Sequence, residues 1–231
     1  MLYFAGNSSS DGVKTTYLKS LGVADFGEFT LGRNTTKILH EDPKLLLFTL
    51  ARYKFVAKMF YGFDEVLEVG CQEGFGASLV SQSVKYMHGI DFYIPHIESC
   101  NRRIINNKIT FEAADILSSP MNRRYQGVFA LDVLEHIDKR DEGVFMENLR
   151  DSMNESGVLI LGMPSLESQK YASEASRLGH INCKTGDELN KFCRQYFDNV
   201  FSFGMNDEVL HTGFFPMSHY LFVVCTNPKI S

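Results

Sequence analysis

The chain has 231 residues, of which 44% are hydrophobic and 22% charged, and its formal net charge is −5 at pH 7. This length suffices for one well-buried core, so we expect a single domain over residues 1–231. The negative charge offers no basic field to a phosphodiester backbone, which excludes nucleic acid as a general partner. The longest apolar runs fall far short of the ~20 residues that cross a bilayer, so no membrane span is expected.

Five glycines among the first 40 residues predict turns that join small elements laid over a larger body. A helix follows, because Asp42 can cap it, Pro43 suits its first turn and apolar residues recur at helical spacing before Gly62 ends it. We interpret residues 1–62 as an N-terminal lid or helical segment. A lid over a ligand and an arm that joins two copies into a homodimer would both fit it.

From residue 64 onward, short apolar runs alternate with helical segments, which is typical of βαβ units and a parallel sheet. A capping box at Thr185–Glu188 opens the last long helix, which we expect to end near Tyr196. The pattern predicts an α/β three-layer sandwich with a seven-stranded, mostly parallel, Rossmann-like sheet and a final antiparallel strand. The predicted strands are residues 66–69, 86–90, 108–111, 127–131, 157–161, 199–203 and 219–224.

The first strand leads into a glycine-rich turn, VLEVGCQEGFG over residues 66–76. It is not a P-loop, because no Gly-Lys pair in the chain is followed by Ser or Thr. It is not a dinucleotide fingerprint either, since Gln72 and Phe75 replace the second and third glycines. Glu68 and Glu73 flank the turn and would repel a pyrophosphate, whereas they would suit a cationic ligand.

This turn resembles the first motif of the class I S-adenosylmethionine-dependent methyltransferases, and further features follow in the family's order. Asp91 ends the second strand, Asp115 follows the third, and LDVLEHI at residues 131–137 follows the fourth. In that family the loop holds the methionine part of the donor, the first acid binds the ribose hydroxyls and the second meets the adenine amino group. The resemblance implies S-adenosyl-L-methionine as cofactor, S-adenosyl-L-homocysteine as product and a transferase of class EC 2.1.1.

The resemblance divides the chain into a donor-binding core, residues 63–165, and acceptor-side elements, residues 166–231. One departure is Gln72, where the family commonly has glycine, because its side chain could narrow the methionine end. The residues assigned to the donor are Glu68, Gly70, Cys71, Gln72, Gly74, Asp91, Phe92, Asp115, Ile116 and Asp132.

Methyl transfer is an in-line displacement that needs alignment first and a base only when the nucleophile is protonated. Candidates for the base are His180, Asp132 and His136, and histidine suits the role because it titrates near neutrality. In the family a histidine before a Thr-x-x-Glu-Leu helix is frequently near the acceptor, and His180 before residues 185–189 resembles it. A helix-terminus or backbone-bonded role for His180 is the alternative.

The connection between the last two strands, residues 206–219, is rich in acids, histidines and bulky apolar side chains. We expect His211 and Glu208, with Tyr17 from the N-terminal segment, to contact the acceptor; a solvated hairpin is the alternative. The i, i+3 spacing of Glu208 and His211 invites a metal ion. No metal is predicted, because the chain has no His-Glu-x-x-His and no dense carboxylate set.

The acceptor class is indicated mainly by what the sequence lacks. No basic face, recognition domain or Asn/Asp-Pro-Pro-Tyr motif points to a protein or nucleic-acid acceptor, which favours a small polar molecule. The chain is similar to bacterial methyltransferases that decorate surface polysaccharides, which implies O-methylation of a capsular precursor, a sugar or a phosphoramidate. Alternatives are another small metabolite, such as a quinol or amine, and a non-catalytic S-adenosylmethionine-binding module.

A phosphorylated acceptor would need Arg or Lys at the pocket mouth. The arginines available for that role are Arg102, Arg103, Arg123 and Arg124. Five scattered cysteines without a Cys-x-x-Cys pair are typical of free thiols in a reducing compartment, so a cytoplasmic protein is expected.

Overall fold

The computed structural model describes residues 10–20 and 29–229. These residues fall into two units, one ending at Thr30 and the other beginning at Leu31. The first unit contains helix α1 (Ser10–Ser20). Much of the predicted lid, residues 1–9 and 21–28, lies outside the described residues, so its role stays a prediction.

The second unit is built on one eight-stranded sheet. Its strands follow the order β3-β2-β1-β4-β5-β8-β6-β7, in which β8 pairs antiparallel with both β5 and β6, and β7 pairs antiparallel with β6. The first five strands pair in parallel. The strands are β1 (Glu65–Val69), β2 (Tyr86–Asp91), β3 (Ile109–Ala113), β4 (Tyr125–Leu131), β5 (Met153–Pro164), β6 (Phe197–Asn206), β7 (Val209–His211) and β8 (Tyr220–Pro228).

Helices cover the sheet, and short 3-10 turns at Leu134–His136, Glu167–Tyr171 and Phe215–Met217 interrupt the connections. None of the helices in the described ranges has the length and apolar character needed to cross a membrane. The remaining helices are α2 (Arg33–Glu41), α3 (Pro43–Met59), α4 (Phe75–Val80), α5 (Ile94–Arg103), α6 (Glu142–Asp151), α7 (Glu174–Gly179) and α8 (Gly186–Cys193).

Alternate residues of the central strands bury into opposite faces of the sheet. Along β4, Val128 and Ala130 join the cluster formed with α6 and α8, whereas Phe129 and Leu131 join the cluster formed with α3 and α4. Both faces are therefore buried, which explains why these strands read as continuous apolar runs. Gly76 at the start of α4 permits close packing, because a Cβ there would lie 1.9 Å from the Tyr53 ring of α3.

The predicted α/β architecture is confirmed, including the antiparallel final strand. The sheet has eight strands rather than seven because the three-residue β7 is too short for periodicity to reveal. Helix α3 begins at Pro43 as expected, but the Asp42 side chain makes no capping hydrogen bond. The sequence did not predict helices α2 and α7 individually. Residues 31–62 belong to the same unit as the sheet.

The capping box at the start of α8 is present and generates a test of stability. The Thr185 hydroxyl accepts from the Glu188 backbone N–H at 3.2 Å, and Glu188 accepts from the Thr185 N–H at 2.8 Å. Thr185→Ala should lower the free energy of unfolding by about 1 kcal/mol, the usual effect of losing such a cap. Urea unfolding measures it, with Thr185→Ser as the matched control that keeps the hydroxyl. Equal stability of the alanine and serine variants would contradict the role.

Candidate active site

A cavity of about 580 Å³ opens at the carboxyl ends of β1, β2 and β4. Ligands of parallel α/β sheets bind at this edge, beyond the strand ends. The lining residues come from the ends of β1 and β2 and from the segments that follow these strands, β3 and β4; they are Val69, Gly70, Gln72, Ile90, Asp91, Phe92, Tyr93, His96, Ala114, Asp115, Ile116, Leu117, Asp132, Val133, His136, Ile137 and Asp138.

The glycine turn after β1 is fixed by contacts to the two neighbouring strands. Gly70 has φ 79°, and a Cβ there would lie 2.5 Å from the Val133 side chain, so only glycine lets the loop after β4 pack against it. Gln72 is also in the left-handed region, with φ 46°, and its N–H donates to the Asp91 carboxylate at 2.9 Å. The left-handed backbone at Gln72 explains why glycine is common there in the family that the sequence resembles.

The Asp91 carboxylate connects two loops at this edge of the sheet. Its second oxygen accepts from the Tyr93 N–H at 2.9 Å, so one buried carboxylate ties the turn after β1 to the start of the loop after β2. Each oxygen of a carboxylate can accept a further hydrogen bond. Asp91 therefore retains acceptor capacity toward the cavity that it lines.

Glu73 does not face the cavity, contrary to the role that the sequence suggested for the acids flanking the turn. Its two oxygens accept from the N–H groups of Arg33 and Asn34, each at 2.7 Å. These are the first free donors of α2, so the carboxylate caps that helix and complements its dipole. The acidic character of the cavity comes instead from Asp91, Asp115, Asp132 and Asp138.

Glu68 also lies outside the cavity lining, although the sequence assigned it to the donor. Its side chain is buried beneath α3, where it accepts a hydrogen bond from the Tyr53 hydroxyl at 2.8 Å. Burial raises the pKa of the Glu68 carboxyl to about 8; the negative charge of Asp91 adds to this effect, and the Tyr53 bond opposes it. Its second oxygen has no hydrogen-bond partner among the described residues.

Of the other residues that the sequence assigned to the donor, some line the cavity and others do not. Asp115, Ile116 and Phe92 line the cavity, and Asp115 accepts from the Leu117 N–H at 2.9 Å, which holds its loop in an Asx turn. Phe92 is 77% exposed at the cavity mouth, an arrangement available for stacking against a planar ligand. Cys71 and Gly74 are buried within the turn rather than in the lining.

Asp132 follows β4 with φ 56° and forms an ion pair with Arg52 of α3. One guanidinium nitrogen lies 2.9 Å and 3.1 Å from the two carboxylate oxygens. The guanidinium also stacks 3.9 Å above the centre of the Tyr220 ring. Arg52 was not identified from the sequence, because nothing in a helical pattern marks which polar residue meets a strand end 80 positions later.

Glu135, His136 and His180 lie beside this pair. Each has one atom that could bind a metal ion, and these three atoms lie within 4.8 Å of one another. The rings of His136 and His180 meet edge to face with centroids 5.1 Å apart, although only His136 lines the cavity. Burial, assisted by the neighbouring His136, lowers the pKa of His180. Glu135 is fully buried, and burial together with the Asp132 charge raises its pKa well above the usual range.

Hydrogen bonds of Asn182 and Lys184 hold the segment that carries His180 in place. The Asn182 N–H donates to the Glu135 backbone carbonyl at 3.0 Å, and the Asn182 amide donates to Glu142 of α6 at 2.9 Å. Lys184, nearly fully buried, donates to the same Glu142 carboxylate at 2.6 Å. These contacts fix the approach of His180 to the loop after β4.

Two of the predicted acceptor residues, Glu208 and His211, are absent from the cavity lining. Glu208 is exposed in the turn between β6 and β7, and His211 lies on β7, four strand positions from β4. The His211 ring accepts from the Gly213 N–H at 3.1 Å. Tyr17 is on α1 in the first unit and 62% exposed.

The four arginines considered for a phosphorylated acceptor are also absent from the lining. Arg123 pairs with Glu65 and Arg124 donates to the Met153 carbonyl, both at the amino ends of strands. Arg103 donates to the Glu73 carbonyl at 2.6 Å. The described lining thus contains four carboxylates and neither Lys nor Arg, which favours a cationic ligand over an anionic one.

Comparison with known proteins identifies a family. The model of a family described as methyltransferase domain matches residues 28–197. A search of curated proteins found no match.

Among solved structures, the N-methyltransferase NodS from Bradyrhizobium japonicum WM9 in complex with S-adenosyl-L-homocysteine is 18% identical with a TM-score of 0.61, covering 83% of this chain and 91% of that one. The DhpI–SAH complex is 15% identical with a TM-score of 0.60 over 83% and 88%. A TehB-like SAM-dependent methyltransferase from Corynebacterium glutamicum is 11% identical with a TM-score of 0.61 over 95% and 97%. At these identities the likeness establishes the fold.

Glu68 makes stability depend on pH. Its folded pKa of about 8 exceeds the ordinary value of 4.5, so its contribution is fully present below pH 4.5 and is lost as pH rises toward 8. Glu68→Gln keeps an acceptor for the Tyr53 hydroxyl but cannot titrate. The free energy of unfolding of the parent, relative to that of the variant, should therefore fall by up to about 1.4 kcal/mol per pH unit in that window. Urea unfolding at pH 5 to 8 measures it, with the exposed Glu155→Gln as control. A parent-minus-variant difference that is constant with pH would contradict the prediction.

Proposed function

The chain belongs to the methyltransferase domain family, and we propose that it transfers a methyl group from S-adenosylmethionine to a hydroxyl oxygen of a small polar acceptor. The observation that carries the proposal is the cavity at the carboxyl edge of the sheet, which combines four carboxylates with His136, whose ring contacts that of His180. The carboxylates complement a cationic donor, and the imidazoles provide a place where a hydroxyl can lose its proton.

The cavity residues fit this donor. Gly70 and Gln72 present backbone at the turn, where a side chain at Gly70 would collide with Val133. We assign Asp91 to the ribose hydroxyls, Asp115 to the adenine amino group, and Phe92 and Ile116 to the faces of the base. When bound, the donor supplies a methyl carbon activated by its sulfonium.

Asp132 acts as a positioning residue in this proposal rather than as the base. Both of its oxygens accept from Arg52, and this ion pair fixes the orientation of the carboxylate. His136 at the cavity wall and His180 behind it are the groups left to assist deprotonation. Alignment of the acceptor against the donor supplies the remaining catalysis, as expected for an in-line displacement.

Charge narrows the acceptor. Because the described lining has neither Lys nor Arg, a neutral sugar hydroxyl is favoured over a phosphoramidate or another phosphorylated group. A capsular-polysaccharide precursor therefore stays a prediction, and among such precursors the lining favours those with a neutral sugar acceptor.

A quinol is a second candidate, favoured by exposed apolar side chains on both sides of His180. Leu178 is 76% exposed and Ile181 60% exposed, and an acceptor with an apolar portion would bury them. Incubation with labelled donor and a panel of neutral sugars, nucleotide sugars, quinols and amines distinguishes these classes. Methylation of amines alone would contradict the proposed hydroxyl acceptor.

The first test of the donor site is Asp91→Ala. Losing its charge-assisted hydrogen bonds should weaken binding of S-adenosyl-L-homocysteine by about 1.5–3 kcal/mol, which is about 10- to 150-fold in Kd. Calorimetry measures the affinity, and thermal unfolding separates lost contacts from a collapsed turn. Asp91→Asn, which keeps one acceptor oxygen, is the matched control. Affinity within about threefold of the parent in the folded alanine variant would contradict the assignment.

The second test concerns the histidine pair. His180→Ala should lower kcat for a hydroxyl acceptor by about 10²–10⁴-fold, because proton removal is lost, while the affinity for S-adenosyl-L-homocysteine changes little. The exposed His40→Ala on α2 is the control. Turnover within about threefold of the parent would show that alignment alone suffices, and loss of donor binding would make His180 structural.

A further inference from the structure

The sharpest unexplained feature of the described residues is the carboxylate of Glu135. The residue is fully buried, yet neither of its oxygens has a hydrogen-bond partner within the described ranges. A buried carboxylate without partners costs several kcal/mol, so such groups are normally paired or bound to a cation. Protonation alone does not resolve the cost, because the added proton would also need an acceptor.

Arg52 does not supply the missing partner. Its guanidinium is engaged by both oxygens of Asp132 and by the face of Tyr220. No hydrogen bond joins Arg52 to Glu135, although the charge of Arg52 acts to lower the pKa of that carboxyl. Arg52 therefore leaves room for a second positive group to compensate the Glu135 carboxylate.

Two imidazole rings lie close to Glu135. Nδ1 of His136 lies 2.9 Å from the Gly179 carbonyl, and Nδ1 of His180 lies 2.9 Å from the Gln169 side-chain oxygen. A carbonyl oxygen only accepts, so each Nδ1 carries the proton and each neutral ring keeps its lone pair on Nε2. The Gln169 amide nitrogen donates to the Ser165 carbonyl at 3.2 Å, which fixes the orientation of its oxygen.

Outer hydrogen bonds of this kind are what fix the tautomer of metal-binding histidines. The ligand atoms of Glu135, His136 and His180 lie within 4.8 Å of one another. Ligands around one divalent ion lie about 3–3.5 Å apart, so closure requires side-chain shifts of less than about 2 Å. We propose that Glu135, His136 and His180 bind a divalent transition-metal cation at the end of the cavity.

The sequence did not predict this site, because its metal hypothesis considered only Glu208 and His211. The three residues proposed here are separated by up to 45 positions, and the contacts of Asn182 with Glu135 and of His136 with Gly179 bring them together. A site with two histidines and one carboxylate leaves coordination positions open for water or a substrate oxygen.

The cation explains how the histidine pair would serve the proposed function, on which this part of the inference rests. A hydroxyl oxygen coordinated to a divalent cation loses its proton far more readily than a free one. The imidazoles then act as ligands, and the proton passes from the coordinated hydroxyl to solvent. Amine acceptors, which need their lone pair for the methyl group, gain nothing from coordination.

The test is calorimetric titration of the chelator-treated, dialysed full chain with Mn²⁺ and with Zn²⁺. One-to-one binding of either ion is expected in the parent and in the surface controls His40→Ala and Glu155→Gln. Glu135→Gln and His180→Ala should each weaken binding by more than about 100-fold, and Gln169→Ala, which removes only the outer hydrogen bond, by about 10- to 100-fold. Thermal unfolding shows which variants remain folded.

Absence of binding by the parent, or binding that survives both Glu135→Gln and His180→Ala, would overturn the cation site. The proposed function is scored separately by methyl transfer from labelled donor with and without added cation. Transfer by parent protein that binds no ion would leave the proposed function standing without the cation. Ion binding without transfer to any hydroxyl acceptor would contradict the proposed function and support the cation site.

Discussion

Parallel pairing of β1 with β2 and with β4 is the constraint on which the site depends. It brings the carboxyl ends of these strands to one edge, where backbone that can no longer pair with a neighbouring strand must turn sharply. The left-handed residues Gly70, Gln72 and Asp132 all occur at these turns. Because the turns lie at one edge of the sheet, the carboxylates of Asp91 and Asp132 border a common space, and the position of the cavity follows from sheet geometry.

The carboxylates at this edge lie in two layers, an outer one that lines the cavity and an inner one that does not, and their charges are compensated differently. In the outer layer, aspartates line the cavity. In the inner layer each carboxylate has its own compensation: Glu73 caps α2, Glu142 pairs with Lys184, and Glu68 is held by Tyr53 with a raised pKa. Glu135 is the exception, because neither of its oxygens has a hydrogen-bond partner among the described residues.

The sequence predicted what depends on neighbouring positions along the chain. The strand and glycine turn at residues 66–76, the capping box at Thr185 and the acids that follow β2 and β3 were readable because each is a local pattern. Side-chain direction was not readable: Glu68 and Glu73 flank the turn, yet both point away from the cavity toward helices α3 and α2. The position of Glu208 and His211 depends on strand order, which no local pattern encodes, because β8 separates their hairpin from β5.

The placement of β8 also bears on the order in which the sheet can be assembled. Strand β6 and its hairpin partner β7 are synthesised before β8, but β8 lies between β5 and β6 in the finished sheet. Until it arrives, β5 and β6 each present an unpaired edge, and the α6–α8 face of the core cannot close around Leu221 and Val223. An emerging chain thus holds two open strand edges until nearly the end of the described sequence. That interval is when pairing with another chain would compete with folding.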